Sequence, residues 1–149
     1  MKREPIIPLE LARLAKKKNF NWNTRFHYQL ALTEKEDPDY GKSGPFGWEK
    51  GELSLQDDFH INNDPKFDYS NKNWGLYSAP THAYLQKWLR EEHGLVVLAD
   101  IEEGVNGPWL VQIYGDYEKH KRFDLYTKAG FASYEEALEK GLRKALKLI

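Results

Sequence analysis

The chain has no cysteine among its 149 residues, which excludes disulfide cross-links, thiol catalysis and cysteine-ligated zinc. It also lacks any apolar run of bilayer-spanning length. Its N-terminus, Met-Lys-Arg-Glu-Pro-Ile-Ile-Pro, carries positive charge without an apolar stretch of secretory length. An excess of one charge sign is missing too, since 22 Lys and Arg stand against 23 Asp and Glu. Duplex nucleic-acid binding draws on a basic surface that displaces counterions, and no global excess supplies one here. These absences predict a cytoplasmic protein with no membrane partner and no cofactor.

Catalytic signatures are absent as well. The five histidines, His27, His60, His82, His93 and His120, fall in no His-x-x-x-His or zinc-peptidase pattern, and no serine sits in a Gly-x-Ser-x-Gly turn. His93, beside Gly94 at a helix end, is explained by attraction to the helix dipole, and His82 reads as a surface histidine. Residues 41–47, Gly-Lys-Ser-Gly-Pro-Phe-Gly, lack the residue order of a phosphate loop and precede no good helix.

What the chain does have is size enough for one domain with a real core, and many aromatics: 5 Trp, 9 Tyr and 7 Phe. Pro8 suits a first helical turn, and Leu11, Leu14 and Ala15 continue at helical spacing, predicting a helix over 8–18. Residues 25–33 alternate as a strand, with a short strand at 52–56. Around it lie two stretches rich in Pro, Gly, Asn and charge, read as long loops near 34–51 and 57–75. Ser78 is the predicted cap of a helix carrying Tyr84, Leu85, Trp88 and Leu89 on one stripe and stopped by Gly94. Strands follow at 95–101 and 109–114, with a third short one at 123–126.

Residues 133–149 read as an amphipathic helix. Ser133 and Glu136 have capping-box spacing, and Leu138, Gly141, Leu142, Ala145 and Ile149 share a stripe. Glycine on that stripe would let the helix approach a sheet closely. The expected fold is α+β: a single two-layer domain over 1–149, mainly antiparallel sheet with about three helices packed on it.

Three groups of residues invite a functional reading. Asp57, Asp58, His60, Asp64 and Asp68 are the densest set of metal-ligand types. They lack the alternation, glycine and closing glutamate of a calcium loop, so the set reads as a solvated acidic stretch; a metal-dependent small hydrolase is the alternative. Trp48, Trp74 and Tyr77 flank the long loops, either as loop anchors or as a stacking platform for a ligand. Lys119, Lys121 and Arg122, with His120 and interleaved Tyr117, Phe123 and Tyr126, form the best candidate for nucleic-acid contact or else a charged connection between strands.

Ala79-Pro80-Thr81 with Leu85-Gln86-Lys87-Trp88-Leu89-Arg90-Glu91 resembles the middle helix of a family of small Bacteroidetes proteins often encoded near prophage or mobile elements. The segments Tyr134-Glu135-Glu136-Ala137-Leu138-Glu139, Gly141-Leu142 and Ala145-Leu146-Lys147-Leu148-Ile149 resemble that family's C-terminus. The resemblance covers about a third of the chain. It implies a bacterial or phage accessory protein and carries over no activity, cofactor or catalytic residue. The resulting expectation is a small non-enzymatic interaction protein whose partner is another protein or a second copy of itself.

Overall fold

A computed structural model of the chain describes residues 4–34, 48–62, 64, 75–103 and 107–149, of which 30–34 and 48–53 are described by backbone alone. Four helices and two three-stranded antiparallel sheets make it an α+β fold. Its contacts group into two compact units, Met1–Phe20 with Pro80–Ile149, and Asn21–Ala79.

The first unit holds α1 (Leu9–Lys17), α2 (His82–His93), β4 (Leu95–Ile101), β5 (Trp109–Gly115), α3 (Tyr117–His120), β6 (Asp124–Phe131) and α4 (Tyr134–Leu148). Pro8 precedes α1 in extended conformation, and Leu11, Ala12 and Ala15 form the buried face. The cap of α2 is Thr81, whose Oγ1 accepts the Tyr84 amide at 3.2 Å. Ser78 does not fill that role, because Pro80 biases the residue before it away from helical geometry and delays the start. Gly94 closes α2 in the left-handed region, φ 64°.

The start of α4 follows the predicted box with one change. Ser133 Oγ accepts the Glu136 amide at 3.1 Å, but Glu136 Oε2 accepts from the Ala132 amide, also at 3.1 Å, one residue further back than expected. A Cβ on Gly141 would lie 2.3 Å from Val111 Cγ2 and 2.8 Å from Val97 Cγ1, so glycine is what lets α4 press onto β4 and β5. Leu85, Trp88, Leu89, Leu95, Val97, Val111, Ile113, Leu138 and Leu142 are buried with Phe20, whose ring meets Trp88 edge to face at 5.2 Å.

The second unit is a sheet in the order β2-β1-β3, from β1 (Thr24–Glu34), β2 (Trp48–His60) and β3 (Leu76–Ser78). Here the structure corrects the loop boundaries, since residues 48–51 and 57–60 belong to strand. Asp57 and Asp58 are poor strand formers. The antiparallel ladder with β1, from Thr24↔His60 to Glu34↔Trp48, carries them into β2 with two register shifts. No helix among the described residues is long and apolar enough to cross a membrane.

Candidate functional site

The acidic set of the second unit does not converge. Asp57 faces Arg25, whose Nε and Nη2 donate to its two carboxylate oxygens at 3.0 and 3.4 Å. Asp58 Oδ1 accepts the next amide, that of Phe59, at 2.8 Å. His60 turns inward, its Nδ1 2.9 Å from Ser78 Oγ. No group of three or more His, Asp or Glu able to hold a metal occurs among the described residues, and Asp68 lies outside them.

The His60–Ser78 pair has the spacing of a base and a nucleophile. Both side chains are sealed, at 1% and 0% exposure, so the hydroxyl offers no face to a substrate. Asn62 Oδ1 accepts the Ser78 amide at 3.0 Å, and His27 stacks on His60 with centroids 5.0 Å apart. The cluster ties β2 to β3 and β1. No sequence spacing announced it, because His27, His60 and Ser78 lie 18 or more residues apart and meet only through strand pairing.

The aromatic platform is only partly visible. Tyr77 is half-buried in β3, paired with Tyr28. The Trp48 backbone opens β2, while its side chain and all of Trp74 lie outside the described residues.

His82 is a correction. It is 6% exposed rather than on the surface, and it joins three segments. Its Nδ1 donates to Pro5 O at 3.0 Å, which leaves Nε2 facing Glu139 Oε1 at 3.1 Å. A hydrogen bond there needs a second proton, on the ring or on the carboxyl. The pair ties α2 to α4 and to the segment before α1.

The basic cluster has structural work as well. Lys119 Nζ donates to Glu92 O at 3.3 Å and His120 Nε2 to His93 O at 2.8 Å, so α3 supplies donors to the open carbonyl end of α2. Lys121 and Arg122 remain exposed, next to Phe123. Burial holds the His93 imidazole below its usual range; Glu92 pulls the other way, while Lys119 and His120 reinforce the burial. Its ring packs against Trp88 at 4.5 Å, so burial outweighs the helix-dipole attraction expected from the sequence.

The feature that sequence reasoning missed is the edge of the β4-β5-β6 sheet. The Asp116 amide donates to Gly94 O at 2.8 Å and the Glu102 amide to Pro108 O at 2.6 Å. With the register Leu95↔Gly115 to Ile101↔Trp109, these bonds turn the main-chain groups of the even-numbered residues of β4 toward β5. Leu95, Val97, Ala99 and Ile101 therefore point theirs to the opposite side, where no strand pairs. Gln86 Nε2 donates to Val97 O at 2.8 Å, and Asp100 Oδ1 accepts the Ile101 amide at 2.7 Å. Among the described residues nothing meets the outward amide and carbonyl of Ala99. Beside this edge runs a groove of about 310 Å³ between Ala83, Gln86, Lys87 and Arg90 of α2 and residues 96–98 of β4.

The sheet face turned away from α4 continues the groove. It carries Val96, Leu98, Leu110 and Tyr114, and Phe123 lies on Tyr114 with ring centroids 5.1 Å apart. Leu98 is 45% and Phe123 66% exposed. Clustered exposure of this kind marks contact surfaces more than isolated apolar residues do.

Fold and site together define a small α+β protein with an open, apolar-flanked strand edge. Comparison with known protein families, with characterised proteins and with solved structures found no match.

Proposed function

We propose that the chain is a non-enzymatic interaction module that contacts another protein through the β4 edge and the sheet face beside it. The observation that carries this is the open edge at Ala99, flanked by exposed Leu98 and Ile101. An unpaired edge next to apolar surface is a liability in an isolated chain, and a partner relieves it. The finer reading, an accessory protein of bacterial or prophage origin, rests on the resemblance at 79–91 and 134–149 alone.

The test is a photo-crosslinking residue placed at Leu98 in living cells, with the same residue at exposed Lys147 of α4 as control. The expected result is a discrete protein adduct from position 98 that survives nuclease and is missing from position 147. Identical adducts from both positions, or none from 98, would remove the reading. A second reading, nucleic-acid contact through Lys121 and Arg122, is favoured by the exposed rings of Tyr117 and Phe123 beside them. Its mark would be an adduct lost to nuclease, with affinity that falls steeply as salt rises.

A further inference from the structure

We infer that the occupant of the groove is an extended peptide segment that adds to β4 as a fourth strand, with an acidic end over Lys87 and Arg90 and a basic end over Asp100, Glu102 and Glu103. The inference rests on the interaction reading and names its partner chemistry.

The backbone of β4 sets the mode. Strand addition needs a row of main-chain donors and acceptors facing outward on alternate residues. β4 presents that row at Val97, Ala99 and Ile101, with the donor and acceptor of Ala99 both unmet among the described residues. Gln86 already holds Val97 O, so it marks one end of the pairing and is the side chain a longer peptide would displace. At the other end, Asp100 covers the Ile101 amide and leaves that residue's carbonyl outward.

Charge sets the direction. On the α2 wall Lys87 and Arg90 line the groove and are exposed, Lys87 lying 3.8 Å from Glu91. At the far end Asp100, Glu102 and Glu103 are exposed. Opposite charges at the two ends of one short edge discriminate between two orientations of the same strand, since the wrong orientation places like charges together. Leu98 and Val96 then receive the apolar side chains on one face of the added strand.

A random linear-peptide library displayed on phage, selected on the full-length chain, tests this. Enriched peptides should alternate apolar residues and carry Asp or Glu at one end. Ala99→Pro removes the outward amide and leaves the β4–β5 ladder untouched, because that amide donates to nothing in the sheet. It should weaken the selected peptides about tenfold or more. Should Ala99→Pro fail to fold, Arg90→Glu serves instead and should weaken the same peptides while favouring ones with basic residues at that end. Peptides that bind both variants as tightly as the parent chain, or a selection that enriches nothing, would overturn the inference. A nuclease-resistant adduct at Leu98 together with a failed selection would leave the interaction reading standing and reject strand addition. Failure of both would reject the two together.

Discussion

The two faces of the β4-β5-β6 sheet both carry large apolar residues, and these meet opposite fates. One face carries Leu95, Val97, Val111 and Ile113, all buried beneath α4, which comes so close that Gly141 leaves no room for a methyl group. The other carries Val96, Leu98, Leu110 and Tyr114; Phe123 lies on Tyr114 and α2 borders Val96, but among the described residues no helix covers the face and Leu98 stands half in solvent. The outer face also holds Asp100 and Gln112, but its large apolar residues match those of the inner face, and what differs for them is the helix. An apolar strand is therefore evidence of a core when something covers it and of a contact surface when nothing does.

The largest break in this contrast should come from the core. Trp88, 2% exposed and packed on Phe20 and His93, should cost about 3–5 kcal/mol on replacement by alanine. A urea midpoint that barely moves would place that ring outside the core. Gly141→Ala comes next. Alanine is better by about 1 kcal/mol in a helix interior, yet its methyl would collide with Val111 and Val97, so a net loss of about 1–3 kcal/mol is expected. A stabilised variant would mean that α4 does not press on the sheet as described.

The third effect is a pH dependence. Burial keeps the folded His93 ring neutral below the range where the unfolded ring takes a proton. Unfolding then binds protons as pH falls below about 6.5, so stability present at neutral pH is lost on acidification toward the lower folded value. His93→Gln should flatten the fall of the urea midpoint across that window, and an unchanged slope would show that the ring ionises freely in the fold. The smallest effect belongs to the open face. Leu98→Thr should stay within about 0.5 kcal/mol while weakening partner capture. A loss comparable to that at Gly141 would reveal a cover over that face and erase the contrast.

Local chemistry made much of the first unit legible. The Ser133 cap, the stripe of α4, the Gly94 stop and the boundaries of β4 and β5 depend on contacts within a few residues, and they appear in the structure close to where the sequence places them. The second unit was less legible for a physical reason. β2 runs through Asp57 and Asp58 because its partner β1 is long, and strand pairing overrides the local preference of those residues for loops. The same holds for candidate sites. Lys119, Lys121 and Arg122 stand out as a string, but that Lys119 and His120 serve the end of α2 depends on how α3 folds back.

By itself, then, the sequence determined where α1, α2 and α4 lie, how α2 stops and α4 starts, that a mainly antiparallel α+β arrangement follows, and that cysteine chemistry is excluded, because each of these depends on neighbours in the chain or on composition. Only the tertiary structure decided that His82 is buried against Glu139, that His60 meets Ser78, and that one face of an apolar sheet is sealed while its edge at Ala99 stays open. Those outcomes depend on which distant segment arrives at a surface, and residue patterns along one chain do not encode that arrival locally.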